Sequence, residues 1–227
     1  MYTNMQFEEF LGLMDTLLGE SGCPWDRTQT FESMRQYLLE ECYEVIEAIN
    51  NKDMDSLREE LGDVFLQVIF HSKLAEKAGE FDINDVIAGV SNKLISRHTH
   101  VFGEDKAASA DEVVKVWEAN KAKEQTKTTR QLMDDVPRAL PALTRAAKVI
   151  SRSQVELPPA DSGAEGLTKT ICESLKNMRT VSDTVMLNEE FGKIMFQMVK
   201  LADILDINAE FSLTNAVEAF INTDSPE

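Results

Sequence analysis

Residues 37–71 read YLLEECYEVIEAINNKDMDSLREELGDVFLQVIFH, a pattern that predicts two helices joined by a short turn. Side chains three and four positions apart lie on one face of a helix. The first helix therefore presents Glu41 and Glu44 in one direction, and the second presents Glu60 and Asp63. Two such carboxylate pairs on facing helices could hold a divalent cation.

The apolar pattern of the two helices indicates where these acids point. Glu41 lies at the margin of the apolar stripe of its own helix, so it faces packing partners. The second helix is apolar nearly all round and is expected to be buried on several sides. One narrow strip interrupts it, made of Glu60, Asp63, Gln67 and His71. Because buried charges are costly unless they are paired or bind a metal, and few basic residues lie nearby, a hard cation is the better candidate.

Composition limits the partners and the compartment. A chain of 227 residues has room for one sizeable core or two small domains. The formal net charge of −17 disfavours binding to nucleic-acid polymers, which requires a basic face. The N-terminal sequence does not resemble a signal peptide, and no apolar run is long enough to span a membrane. Three cysteines without a CxxC spacing indicate a reducing compartment, so we expect a cytoplasmic protein.

Helical periodicity continues along the rest of the chain, and no stretch alternates convincingly with the period of a strand. The prediction is therefore an all-α fold. Residues 121–136, KAKEQTKTTRQLMDDV, lack an apolar stripe and are predicted to form a linker, and residues 157–163 are predicted to form a loop. Predicted helices cover about 5–20, 31–50, 54–78, 81–97, a segment after Ser109, 140–150, 166–186, 188–205 and 211–222.

Basic and aromatic side chains recur at helical spacing beyond the acidic pair of helices. Lys93 and Arg97 lie one turn apart, and Trp117 and Lys121 repeat that spacing on the next helix. Cations near a carboxylate-bound metal would suit a polyphosphate. The alternative is ordinary solvated charge, which is the default for exposed lysine.

Aromatic and histidine side chains near turns have two interpretations. Trp25 follows the turn Gly22-Cys23-Pro24 and either covers the core or stacks on the ring of a ligand. His98 and His100 are interpreted as turn or core histidines, since a third nitrogen ligand at a suitable spacing is absent from the sequence.

An internal repeat links the two halves of the chain. Residues 59–68, EELGDVFLQV, recur as residues 189–198, EEFGKIMFQM. Lys193 takes the position of Asp63, and the helix before it carries no glutamate pair at the required spacing. The second copy also lacks counterparts of the basic residues and Trp117. Two copies of one helical module are therefore predicted, of which the second has lost the chemistry.

Four motifs occur in a fixed order and together resemble the MazG family of nucleoside triphosphate pyrophosphohydrolases. They are CPWDxxQT at residues 23–30, EExxE at residues 40–44, ExxD at residues 60–63 and RHxHVF at residues 97–102. The resemblance implies tandem all-α modules that dimerise through helical bundles. It divides this chain into a catalytic module at 1–125, a linker at 126–136 and a degenerate, non-catalytic module at 137–227.

The resemblance also implies an activity and a set of site residues. The family uses Mg²⁺ to cleave a nucleoside triphosphate to the monophosphate and pyrophosphate. Glu41, Glu44, Glu60 and Asp63 would be the metal ligands and the catalytic residues. Substrate binding would fall to Lys93, Arg97, Trp117, Lys121 and Trp25. The alternatives are a non-catalytic helical module that binds nucleotides or a protein, and a dUTP or dCTP pyrophosphatase of the same helical superfamily.

Overall fold

A computed structural model describes residues 6–123, 127–153 and 160–224, and these residues form helices and connecting turns without a strand. The predicted all-α fold is confirmed. The helices are α1 (Phe7–Leu18), α2 (Phe31–Asn51), α3 (Met54–Ala78), α4 (Ile83–Arg97), α5 (Thr99–Phe102), α6 (Ala110–Lys123), α7 (Thr129–Asp134), α8 (Ala142–Arg152), α9 (Ala160–Met178), α10 (Thr184–Ile204) and α11 (Ala209–Asp224). Within these ranges, no helix combines the length and the apolar content that crossing a bilayer requires.

The chain divides into two compact units, Met1–Glu124 and Gln125–Glu227. In the first unit, α2 and α3 pack along each other, α1 and α4 pack against α3, and α6 packs against α4. In the second unit, α10 packs against α8 and α9, while α7 and α11 pack against α8. The helix pair α2–α3 is thus the centre of the first unit.

The ends of α2 and α3 are fixed by local hydrogen bonds. The hydroxyl of Thr30 accepts a hydrogen bond from the Ser33 N–H at 3.2 Å and begins α2. Lys52 ends α2 in the left-handed conformation, with φ of 55°. Asp53 then begins α3, because its carboxylate accepts the N–H groups of Asp55 and Ser56, each at 3.1 Å. Only Lys52 and Asp53 separate the two helices, so their register is fixed.

The core of the first unit lies beside this helix pair. It consists of Met14, Met34, Ile69, Phe70 and Ile83, which come from α1, α2, α3 and α4. Hydrophobic burial of these side chains orients one face of α3 toward the other helices.

Part of the apolar surface of α3 differs from the expectation of burial on several sides. Leu61 is 52% exposed, and Phe65 and Val68 are also exposed. Helices α1, α2 and α4 pack against α3 but leave these side chains exposed, so the predicted burial on several sides is confirmed only in part for the single chain.

Two segments predicted to be irregular contain helix. Within the predicted linker, α7 begins at the Thr128 cap and buries Leu132, and Val136 is buried just after it. Helix α7 is too short to show an apolar stripe, but single apolar residues that pack on α8 stabilise it. In the predicted loop 157–163, α9 already begins at Ala160. Residues 154–159 lie outside the described residues.

The boundaries of the last helices are also shifted. The helix predicted at 166–186 ends at Met178, and α10 begins at Thr184, where Asp183 accepts the Met186 N–H at 2.9 Å. The aspartate cap defines the boundary that apolar periodicity alone did not indicate.

Candidate active site

Three carboxylates converge between α2 and α3. One oxygen each of Glu41, Glu60 and Asp63 lies within 4.8 Å of the other two, and all three side chains are half-buried. Glu60 and Asp63 share a face of α3, and Glu41 meets them from α2. Oxygens bound to one Mg²⁺ or Ca²⁺ ion lie at most roughly 4–5 Å apart, because the metal–oxygen distances are about 2.0–2.6 Å. The three oxygens therefore have the spacing of a site for a hard cation.

The fourth predicted acid, Glu44, belongs to the same cluster. Its side chain is exposed, yet it shares a hydrogen bond with Glu41 and another with Glu60. A hydrogen bond between two carboxyl groups requires a proton on one of them. The structure thus brings all four predicted acids together, with Glu44 on the solvent side.

The electrostatics of the cluster follow from burial and like charge. Burial, followed by the hydrogen bond to Glu44 and the charge of Asp63, raises the pKa of Glu41 from 4.5 to about 7. Burial also raises the pKa of Glu60, with Glu44 as the next cause. All the neighbours that contribute to these shifts are carboxylates. Without a cation the cluster retains a proton near neutral pH, and its all-oxygen donor set fits Mg²⁺.

The polar strip of α3 continues past the carboxylates. Gln67 is 4% exposed, and its Oε1 atom has no hydrogen-bond partner among the described residues. The same holds for Nε2 of His71, whose ring stacks on Phe31 and whose pKa is lowered by burial. Gln197, the repeat counterpart of Gln67, has an unpartnered Oε1 as well. Because the described part of the second unit has no cluster of three carboxylates, the unpaired glutamine is a property of the helical module and not of the carboxylate cluster.

A second group of predicted residues forms where α4 ends and α6 packs against it. The guanidinium carbon of Arg97 lies 5.5 Å from the centre of the Trp117 ring, a cation–π distance. The His98 ring meets Trp117 edge-on at 4.7 Å, although the sequence did not indicate His98 as a site residue. A stacked cation and indole offer a surface for a phosphate and an aromatic base.

The remaining predicted substrate residues are less tightly grouped. Trp25 packs edge-on against Tyr37 at 5.9 Å and is 51% exposed, so it covers Tyr37 and also keeps a free face. Lys121 pairs with Glu118 of its own helix at 2.8 Å, and Lys93 is exposed on α4. In the described part of the chain, none of these three side chains makes a hydrogen bond, ion pair or ring contact with another predicted site residue.

Two polar residues beside this group were missed by the sequence analysis. Asn120 is buried on α6, and its amide donates a 2.6 Å hydrogen bond to the Thr99 hydroxyl. A single asparagine within a helix and a threonine between two histidines carry no motif, so only the tertiary contact identifies them.

The second unit has a different arrangement at the repeated position. The Lys193 Nζ atom lies 2.6 Å from Glu190 Oε1, where Asp63 and Glu60 stand in the first unit. Within the described residues of this unit, metal-ligating side chains do not gather into a cluster of three or more. In this unit the ammonium group of Lys193 neutralises the carboxylate of Glu190 on the same helix.

The fold and this site define an all-α protein with a carboxylate cluster on a helix hairpin. Residues 29–102 match the MazG nucleotide pyrophosphohydrolase domain, a range that includes the four acids, Lys93 and Arg97. The chain is 42% identical over 216 residues to the nucleoside triphosphate pyrophosphohydrolase/pyrophosphatase MazG of Thermotoga maritima, covering 95% of this chain and 82% of that protein. It is 40% identical over 224 residues to the nucleoside triphosphate pyrophosphohydrolase of Escherichia coli K12, covering 95% and 84%.

The chain therefore belongs to the MazG family. Its similarity to both relatives extends through the second unit, beyond the end of the domain match at residue 102. The predicted family membership is confirmed.

Proposed function

We propose that this protein is a Mg²⁺-dependent nucleoside triphosphate pyrophosphohydrolase, which converts a nucleoside triphosphate and water into the monophosphate and pyrophosphate. The observation that carries the proposal is the convergence of Glu41, Glu60 and Asp63 within 4.8 Å between α2 and α3. The names of two relatives that share about 40% of their residues with this chain support the same reaction.

The four acids would hold the metal. Bound Mg²⁺ would neutralise phosphate charge and lower the pKa of a bound water molecule. Glu41 is the first candidate for the general base, because its half-buried carboxylate meets Glu60 and Asp63 from the facing helix and can reach a water held there. Glu44, which hydrogen-bonds to it, is the second candidate. Water attacks the α-phosphorus and loses its proton to the base, and the bond from that phosphorus to the bridging oxygen breaks to release pyrophosphate.

The basic and aromatic residues would bind the substrate. Arg97, Lys93 and Lys121 are the candidates for the phosphate oxygens, and Trp117 and Trp25 for the nucleotide base. The Arg97–Trp117 stack supports this assignment most directly, since one group offers a cation and the other an aromatic face at a distance of 5.5 Å. Lys121 would have to exchange its contact with Glu118 for one with phosphate.

The proposed enzyme is a cytoplasmic homodimer. The exposed apolar residues on α3, Leu61, Phe65 and Val68, form a face that a second copy of the chain would cover. The second unit has the Lys193–Glu190 pair in place of the acids, and we propose that it has no catalytic role.

Product analysis tests the reaction. Purified protein is incubated with each common ribo- and deoxyribonucleoside triphosphate and Mg²⁺, and the phosphate products are identified. Monophosphate plus pyrophosphate supports the proposal, and its loss with EDTA supports metal dependence. Orthophosphate would indicate another hydrolase, and no product would favour a nucleotide- or protein-binding module. Turnover restricted to dUTP or dCTP would identify a base-selective pyrophosphatase.

A further inference from the structure

Asn120 is the one buried polar residue that the described part of α6 contains, with 6% of its surface exposed. It lies between Trp117 and Lys121 in sequence, and its side chain points toward the end of α4. The amide nitrogen donates to the Thr99 hydroxyl oxygen at 2.6 Å and, more weakly, to the Arg97 carbonyl oxygen at 3.5 Å. These bonds connect α6 to residues 21 and 23 positions earlier in the chain.

The direction of each hydrogen bond in this group is determined. The Thr99 hydroxyl has a single hydrogen, which it donates to Asp105 Oδ2 at 2.6 Å. The Thr99 oxygen can then only accept, so the Asn120 amide nitrogen must face it. The Asn120 carbonyl oxygen faces away and accepts a hydrogen bond from Lys123 Nζ at 3.0 Å. Every polar atom of the Asn120 side chain is therefore satisfied in one orientation.

These hydrogen bonds connect α4 and α6, the two helices that carry Arg97 and Trp117. Arg97 ends α4 and Trp117 lies within α6, so their contact at 5.5 Å depends on how α6 sits against that end of α4. Asn120 bonds to Thr99, which lies two residues beyond Arg97, and makes a weaker contact with the Arg97 carbonyl oxygen. A buried amide that is fully hydrogen-bonded selects one arrangement of its neighbours, because any other leaves a buried donor without a partner.

We infer that Thr99 and Asn120 are positioning residues for the nucleotide site: they hold α6 against the end of α4 so that Arg97 and Trp117 form one binding surface. The inference rests on the proposed function for the identity of the ligand, a nucleoside triphosphate. Neither residue needs to touch the substrate.

The expected kinetic effect is on binding. Thr99→Val keeps the shape of the side chain but removes the hydroxyl, which leaves a buried Asn120 N–H without a partner and releases Asp105. Arg97 and Trp117 would then occupy their relative position in a smaller fraction of molecules. We expect KM for the nucleoside triphosphate to rise about tenfold, with kcat within about twofold of wild type, because displaced binding groups weaken substrate binding.

Three variants separate positioning from general stability. Thr99→Ser keeps the hydroxyl and should restore KM. Asn120→Leu removes the donors from the other side of the same hydrogen bond and should resemble Thr99→Val. Thr170→Val is the matched control, because its hydroxyl donates a hydrogen bond to the Gly166 carbonyl oxygen of its own helix at 3.0 Å and to no other described residue, and it lies in the second unit.

The experiment measures pyrophosphate release, thermal unfolding and the quenching of tryptophan fluorescence by the nucleotide, all on the full chain. A higher KM and a weaker quenching titration for Thr99→Val and Asn120→Leu, with Thr99→Ser and Thr170→Val close to wild type, support the inference. An unchanged KM overturns it. A lower unfolding temperature with lower kcat and unchanged KM also overturns it, since the network would then serve stability alone.

Failure of the proposed function gives a different result. If wild-type protein binds nucleotides but releases no pyrophosphate, the catalytic proposal fails while the quenching titration still tests the positioning role. An equal titration for wild type and Thr99→Val would then overturn the inference, as would the absence of any nucleotide-dependent quenching in wild type.

Discussion

Replacement of Asp63 by lysine would copy the arrangement of the second unit into the first. There, the Lys193 ammonium group lies 2.6 Å from Glu190, at the positions that Asp63 and Glu60 occupy in the first unit. We expect Asp63→Lys to abolish Mg²⁺-dependent pyrophosphate release, because an ammonium group replaces a metal ligand. We also expect it to stabilise the metal-free protein at neutral pH, because it relieves repulsion among the remaining acids.

The size of the stabilisation follows from the pKa of Glu41. At about 1.4 kcal/mol for each pKa unit, the rise from 4.5 to about 7 corresponds to about 3 kcal/mol, which solvent screening at this partly exposed cluster reduces to about 1–2 kcal/mol. The charge of Asp63 is a smaller cause of the rise than burial and the Glu44 hydrogen bond. Asp63→Lys should therefore recover only the smaller part of this loss, under about 1 kcal/mol, at neutral pH.

The pH dependence has a definite sign. A folded-state pKa above the unfolded value means that the native protein binds more protons between pH 4.5 and about 7. The metal-free wild type should therefore be most stable at the acid end of this window and lose about 1–2 kcal/mol as the pH rises through it. In Asp63→Lys the loss should be smaller.

Urea unfolding in EDTA at several pH values, together with pyrophosphate release in Mg²⁺, measures both effects on the full chain. Asp63→Asn removes the negative charge without adding an ammonium group and should be inactive with intermediate stability. Lys193→Asp makes the reverse exchange in the second unit and should leave turnover unchanged. Normal turnover by Asp63→Lys would refute the ligand assignment, and a wild-type stability that does not change between pH 4.5 and 7 would refute the account of Glu41.

Three further substitutions test the binding surface, the dimer and the core. Arg97→Ala should raise KM about tenfold or more, measured by steady-state pyrophosphate release, whereas Arg145→Ala on the exposed side of α8 should not. Leu61→Glu should dissociate the proposed dimer in sedimentation experiments, and a wild-type monomer would contradict that proposal. Ile69→Val should cost about 0.5–1.5 kcal/mol in urea unfolding, because Ile69 is fully buried, while Ile87→Val, 43% exposed, should stay within about 0.5 kcal/mol.

The carboxylate cluster was predictable because it depends on local geometry. The spacing of Glu60 and Asp63 places them on one face of α3, and the Lys52-Asp53 turn is short enough to bring Glu41 opposite. The sequence could not show that Glu44 remains on the solvent side, since this depends on how far α2 rotates against α3. Its role in the cluster becomes visible only through its hydrogen bonds to Glu41 and Glu60.

Features that depend on tertiary packing were predicted less well. The apolar pattern of α3 indicated burial but not what would cover Leu61 and Phe65, because periodicity describes a face and not its partner. The helix α7 rests on the burial of Leu132. Asn120 gave no signal, because a buried amide is defined by its hydrogen-bond partners, here Thr99 and the Arg97 carbonyl group.

The brevity of the α2–α3 connection also constrains how this family member can change. An inserted residue that extended either helix would turn its side chains by about 100° and carry Glu41 away from Glu60 and Asp63. In the second unit, five residues, 179–183, separate α9 from α10. We therefore expect a change in the length of the α2–α3 turn to disturb the carboxylate cluster, whereas the same change between residues 179 and 183 displaces no member of that cluster.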